Sequence, residues 1–348
     1  MRDHTSPVPD LAAVPALSPA NPLTFLDNAL TGLRQYHAVM TALDLGLFEI
    51  FREPKTGPVC ARALGCRPEI VTLLCDGLVT LGLLEKTGEH YHDSGITLAC
   101  LVGDAPYPQH RAIAFQRKLA DFWADLPRIA KEGPVTCDRA RMFRDVIIPS
   151  MAENCRCGLL QQVTACVAAV PEFNSARRML DLGGGHGLYS IAFCQKNPAL
   201  HAVVFDLPPV TDATRDFIGR YRAGRVSILP GDFFKDPIGS GYDIIFSSSN
   251  PGGKVPELIP KIADALNPGG LFINKQGLDD ARSDPLLSLE WNLWTFEGVQ
   301  KQASRYVFKN SVPFAEYNRL LTDYGFVVRE IVPIDAQSAM TIAEKVTL

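Results

Sequence analysis

The chain has 348 residues, 47% of them hydrophobic and 21% charged, with a formal net charge of -4. That length leaves room for one or two cores, and the composition is that of a globular protein. The slight acidity gives no electrostatic reason to expect nucleic acid or an anionic membrane as partner.

The first 22 residues, MRDHTSPVPDLAAVPALSPANP, hold five prolines and no unbroken apolar run. They read as a disordered leader over 1–22, and no stretch of the chain resembles a signal peptide or a membrane span. Nine cysteines, at 60, 66, 75, 100, 137, 155, 157, 166 and 194, sit mostly in apolar periodic segments. An odd number so placed reads as a reduced, cytoplasmic pattern rather than a disulfide framework. Cys155 and Cys157 are a close pair, but two ligands are too few for structural zinc, so no metal is expected.

Residues 23–105 form the first expected domain. LTFLDNALTGLRQYHAVMTALDLGLFEIF has helical spacing of apolar residues on more than one face, as in a helix buried against a partner. Two shorter helical patterns follow, VCARALGC and PEIVTLLCDGLVTLGLL, and then EKTGEHYHDSG reads as a hairpin. Helix, helix, hairpin is the outline of a winged helix. Residues 30–104 carry Lys or Arg at 34, 52, 55, 62, 67 and 86 against Asp or Glu at 44, 49, 53, 69, 76, 85, 89, 93 and 104. Phosphate contacts need the opposite balance, which argues against DNA.

Residues 106–170 look helical throughout and form the expected linker and substrate-lining region. From 171 to 348 short apolar runs alternate with amphipathic stretches. RMLDLGG, HAVVFDLP, RVSILPGDFF, YDIIFSSS, GGLFINKQ and GFVVREIVPI are strand candidates with helical patterns between them. This alternation predicts an α/β domain with a mostly parallel sheet covered on both faces.

Within that domain the first strand ends at Asp181 and breaks into DLGGGHG before a helix. Glycines let main chain lie against a ligand without a Cβ between them. A dinucleotide fingerprint, G-x-G-x-x-G, would put Leu188 at its third position from Gly183 and Gly185, and that side chain is too large. The spacing suits S-adenosylmethionine, which has no pyrophosphate to cradle. Asp206 ends the next strand, where a carboxylate can accept both ribose hydroxyls. GDFF, after the third strand, supplies Asp232 for an adenine amino group and Phe233 to stack on the ring; a turn or cap aspartate is the plainer role for Asp232.

DLGGGHG, VFDLP and GDFF, preceded by ALDLGLFEIF, resemble the plant-type O-methyltransferase family of small-molecule, S-adenosylmethionine-dependent enzymes over roughly residues 23–345. The resemblance implies a Rossmann-like class I methyltransferase domain, a winged-helix-like dimerisation domain, a homodimer, and a small, cyclic metabolite as substrate. It places Gly183, Gly185, Asp206, Leu207, Asp232, Phe233, Ser247 and Ser248 around the cofactor. The family's usual lysine falls near Ser248 and its base histidine near Gly252, and no histidine follows His201. A base matters when the acceptor is a weakly acidic hydroxyl, so the expected acceptor is carbon, nitrogen, sulfur or an acidic oxygen. Glu290, Glu297 and Tyr306 are substitute proton acceptors, each with a bland alternative as surface charge or core edge. Phe115, Met151, Asn154, Trp291 and Trp294 are the expected substrate pocket, with core packing the alternative for the apolar ones. His186 has no evident partner. A non-methylating reaction with the same cofactor and a non-catalytic regulatory role stay open.

Overall fold

Prolines and capping side chains open many of the helices, and runs of β-branched and aromatic residues make the strands. The computed structural model describes residue 12 and residues 20–278, 284–299, 301 and 310–346. The chain divides into two compact units, Met1–Pro108 and Gln109–Leu348.

In the first unit, helix α1 (Ala20–Asp44) begins inside the stretch expected as a leader. The last residues of that stretch are therefore helical, and 1–11 and 13–19 lie outside the described residues. Then come α2 (Leu47–Ile50), β1 (Lys55–Thr56), α3 (Gly57–Leu64), α4 (Pro68–Thr80), β2 (Leu84–Thr87), β3 (His90–Asp93) and α5 (Gly95–Cys100). The expected hairpin is β2–β3, turned at Gly88 with φ 60, and β1 adds to it in the order β1-β3-β2. Leu47, Phe51, Cys60, Cys75, Leu78 and Tyr91 are buried between these helices and the small sheet.

The second unit opens with α6 (His110–Ala124) and α7 (Leu126–Glu132). Strand β4 (Val135–Cys137) then interrupts the region expected to be helical throughout. Gly133-Pro134 ends the helix, and Val135-Thr136 follow in extended form, as β-branched residues favour. After α8 (Arg139–Met142) a π-turn leads into α9 (Ile148–Cys155) and α10 (Leu159–Ala168).

The sheet and its covering helices follow: β5 (Arg178–Leu182), α11 (Leu188–Lys196), β6 (His201–Asp206), α12 (Pro208–Arg220), β7 (Val226–Pro230), β8 (Tyr242–Ser248), α13 (Ile259–Ala265) and β9 (Leu266–Gly277). The chain continues through α14 (Pro285–Asn292), β10 (Trp294–Phe296), α15 (Phe314–Asp323), β11 (Phe326–Asp335) and β12 (Ser338–Lys345). β10 pairs with β4, outside the main sheet. The main sheet runs β11-β12-β9-β8-β5-β6-β7, with β12 antiparallel to both neighbours and the other four pairs parallel. This is the Rossmann-like class I methyltransferase architecture.

Alternate residues of the central strands feed two cores. Met179, Ile244, Phe246, Leu271 and Ile273 pack with α10 and α11, while Leu180, Leu182, Ile245 and Phe272 pack with α13 and α15. Central parallel strands are apolar on both sides because helices cover both faces. Phe246 is fully buried, with ring centroids of Tyr189 and Phe193 at 5.2 and 5.0 Å. Phe246→Ala is expected to lower stability by about 3–5 kcal/mol. Urea denaturation read by far-ultraviolet circular dichroism checks it, and an unmoved midpoint contradicts the packing.

Candidate active site

The five parallel strands leave their carboxyl ends along one edge, where ligands of open α/β sheets gather. At the centre of that edge β5 stops at Leu182 and the glycine loop begins. Gly183, Gly185 and Gly187 have φ of 70, 55 and 70, values that favour glycine. Gly184 is needed for space instead: a Cβ there would lie 2.6 Å from the Asp181 carboxyl carbon.

Two carboxylates hold this loop. Asp181 Oδ2 accepts from Ser190 Oγ at 2.8 Å, tying the strand end to α11. Asp206, at the end of β6, accepts from Gly185 N–H at 2.8 Å through Oδ2 and from Leu207 N–H at 2.7 Å through Oδ1. Each carboxylate oxygen has a second lone pair, so Asp206 can still accept from a ligand hydroxyl. Leu207 contributes its backbone N–H to that arrangement and its side chain packs near Ile148 and Val210.

Further along the edge, Gly231 N–H donates to Asp206 C=O at 2.9 Å, which brings the GDFF turn beside β6. Asp232 serves that turn, accepting from Phe234 N–H at 3.0 Å. Phe233 is half-buried against Phe234, Leu258 and Gly252, at whose position a Cβ would come within 2.7 Å of its ring.

On the other side of the loop, Ser247 is buried and accepts from Asn250 Nδ2 at 2.8 Å; the same amide donates to Leu182 C=O at 2.6 Å. Asn250 thus staples the end of β8 to the glycine loop, a role with no signature in the sequence. Ser248 lines a cleft with Gly183, Gly184, Gly185, Asp181, Ser249 and Lys275. Met151, Asn154, Cys155 and Tyr189 line it from α9 and α11. Burial pushes the Tyr189 phenol well above its ordinary value, and Ser248 is its hydrogen-bond neighbour.

His186 also lines the cleft, and the structure supplies the partners its sequence context hid. Its Nδ1 accepts from Leu188 N–H at 3.1 Å, which leaves the ring proton on Nε2, 3.6 Å from Cys155 Sγ. Burial pulls its pKa down to about 4, so the ring is neutral at physiological pH. With one nitrogen accepting and the other protonated, His186 has no lone pair for a substrate proton.

The expected proton acceptors and aromatic wall separate. Glu290 accepts from Trp123 Nε1 at 2.8 Å, clipping α14 to α6. Glu297 is exposed. Tyr306 lies outside the described residues. Trp291 and Trp294 are buried at the centre of an apolar cluster with Leu119, Phe122 and Phe296, and Phe115 packs on its edge. Lys301 Nζ lies 3.7 Å from each tryptophan ring centroid and donates to both their carbonyls. Of the expected substrate residues, the cleft takes Met151 and Asn154.

Residues 150–326 match the O-methyltransferase domain family, a segment that runs from α9 through the glycine loop to the start of β11. The chain is also 37% identical over 327 residues to the uncharacterized protein MJ0086 of Methanocaldococcus jannaschii, covering 91% of this chain and 88% of that protein. The chain belongs to the plant-type O-methyltransferase family. Membership makes it an enzyme of the methyltransferase class. It is 28% identical over 342 residues to the N,N-dimethyltransferase OxyT of Streptomyces rimosus, covering 92% of this chain and 95% of OxyT. Human N-acetylserotonin methyltransferase, solved in complex with S-adenosylmethionine, shares the fold with a TM-score of 0.71 at 20% identity, over 96% of this chain and all (100%) of that one.

In this family member burial pushes Asp181 up to about 7 and Asp206 up to about 6. Both carboxyls hold their protons more tightly folded than unfolded, where an aspartate titrates near roughly pH 4. The folded state then binds more protons across that window, so stability is highest below it and declines as pH rises through the folded values. Asp181→Asn should flatten the decline, measured as urea midpoints between roughly pH 4 and 8. A variant with the full wild-type slope would show that Asp181 is not its source.

Proposed function

We propose that this enzyme transfers a methyl group from S-adenosylmethionine to a small cyclic metabolite, at a carbon, nitrogen, sulfur or acidic oxygen that needs no histidine base. The observation that carries the reading is a braced glycine loop and ribose carboxylate beside a histidine committed at both nitrogens.

The residues present fit the cofactor. The glycine loop offers main chain free of Cβ atoms, and Asp206 is fixed by two backbone N–H groups before any ligand arrives, so it need not reorganise to accept a diol. Asp232 and Phe233 would meet the base, with Asp232 braced by Phe234 N–H. Ser248 and the loop would border the methionine end. When bound, the cofactor supplies a methyl carbon already activated by the positive sulfur. What is left to the chain is alignment and exclusion of water, which account for much of the acceleration of such displacements. An amine, thiolate, electron-rich carbon or ionised hydroxyl attacks without a base, consistent with a cleft whose histidine is occupied.

Purified enzyme incubated with methyl-labelled S-adenosylmethionine and cell extract should yield a labelled small molecule and an equal amount of S-adenosylhomocysteine. Asp206→Ala should weaken cofactor binding on the order of a hundredfold, as expected for loss of two hydroxyl–carboxylate bonds. Labelling that survives this variant unchanged would refute the site. Turnover without S-adenosylhomocysteine would instead mark a non-methylating reaction.

We also infer a homodimer in a reducing, cytoplasmic compartment. α1 exposes Leu23, Leu26, Leu30 and Leu33 at 59, 53, 44 and 49%, at helical spacing, with Phe25 at 69%. An apolar stripe of that length is costly in water and favours a second copy as its cover. All nine cysteines are free. No helix among the described residues is long and apolar enough to cross a membrane. Leu26→Lys with Leu30→Lys should convert a dimer to monomer in analytical ultracentrifugation; an unchanged dimer would exclude this face.

A further inference from the structure

Strands β5 and β8 run side by side in parallel, with Met179, Leu180 and Asp181 opposite Ile244, Ile245 and Phe246. Past that register a side chain joins the two strand ends. Asn250 Nδ2 donates to Leu182 C=O at 2.6 Å and to Ser247 Oγ at 2.8 Å. Its Oδ1 accepts from Gly252 N–H at 2.9 Å, closing an Asx turn. The turn needs only that acceptor. The bond to Leu182, 68 residues away in the chain, is additional and ends where the glycine loop begins.

The turn that follows β8 is fitted closely on three sides. A Cβ on Gly183 would lie 2.8 Å from the Asn250 carboxamide carbon, so the amide packs directly on the first glycine of the loop. A Cβ on Gly252 would come within 2.7 Å of the Phe233 ring, and one on Gly253 within 1.7 Å of the Gln276 amide. Ser248 and Ser249 line the cleft just before Asn250, which does not itself line it. Ser249 has φ 52, a left-handed conformation that residues with a Cβ seldom adopt. Such strain persists where surrounding contacts impose it. Here the Ser249 N–H bond to Lys275 C=O, at 2.8 Å, and the bonds of the adjacent Asn250 do so.

We propose that Asn250 is a positioning residue for methyl transfer. Its carboxamide sets the separation between the glycine loop and the Ser248–Ser249 wall, and so aligns the amino-acid end of the cofactor between them. This rests on the methyl-transfer reading above, in which the loop and Ser248 border that end. Asn250 acts through the Leu182 carbonyl, whose peptide leads into Gly183, and through Ser247, whose neighbour is Ser248. In-line displacement is sensitive to such alignment, since a misplacement of about 1 Å can cost roughly a hundredfold in rate. A local turn would use Asn250 only as an acceptor. Positioning requires the two donated bonds, and that difference separates the roles.

Asn250→Asp keeps the side-chain shape and the acceptor but, ionised at roughly pH 8, loses both donated bonds. Wild type and variant are titrated calorimetrically with S-adenosylhomocysteine and with methylthioadenosine, which lacks the amino-acid end. Methylthioadenosine should bind both proteins equally, which establishes that the variant is folded. S-adenosylhomocysteine should bind the variant about tenfold or more weakly. A merely local turn would leave both affinities unchanged. Ser247→Ala removes one of the two acceptors that orient the amide and adds no charge. It should show the same split between the two nucleosides on a smaller scale, and it decides the matter if Asn250→Asp does not fold. Unchanged S-adenosylhomocysteine affinity, or an equal loss for both nucleosides, overturns the proposal. A wild-type protein that binds neither nucleoside overturns the methyltransferase reading itself, and the proposal with it.

Discussion

The Asp206 carboxylate, shared between the N–H groups of Gly185 and Leu207, is the constraint on which the cleft depends. A loop of consecutive glycines is entropically expensive to order. One carboxylate spanning the loop and the start of α12 offsets that cost and fixes which way the loop faces. Gly183 N–H to Phe205 C=O at 2.8 Å and Gly231 N–H to Asp206 C=O at 2.9 Å extend the bracing to both sides of the same strand end. The GDFF turn and the glycine loop are thus positioned by one short piece of backbone.

That bracing has an electrostatic consequence. Asp181 and Asp206 both sit in surroundings that disfavour charge, and the Asp206 charge further raises Asp181. Backbone N–H groups compensate Asp206 and a serine hydroxyl compensates Asp181. Lys275 stands on another strand, reached through Ser248 and Ser249.

How much of this was legible in the sequence depended on whether the signal was local. The parallel strands and the glycine loop were readable because apolar runs and glycines report on their own backbone. Asn250 and Tyr189 were not, since each meets a partner far away in the chain: Asn250 Leu182, and Tyr189 Ser248. Strand β12, SAMTIAEK, lacks the dense apolar run of its neighbours and was passed over, yet it pairs with both β9 and β11. Trp291 and Trp294 carry no mark in the sequence that distinguishes a pocket wall from a core, and the structure buries both in an apolar cluster. Gly253, after β8, carries a constraint that no local pattern marks, since a Cβ there would meet the Gln276 amide at 1.7 Å.

The proposed base-free transfer fits the bonding of His186, which lines the cleft. A general base lowers a barrier by removing a proton in the transition state; a fixed cation lowers the same demand by making the anion the bound species. The first strategy needs a lone pair in the cleft, and His186 has spent both its nitrogens on Leu188 and Cys155. The second needs a positive charge held beside the acceptor. A cation stabilises the acceptor anion and so lowers its nucleophilicity. The trade is favourable where the acceptor is acidic enough to ionise with that help. Under the proposed function, ordinary alcohols fall outside this range and acidic hydroxyls within it.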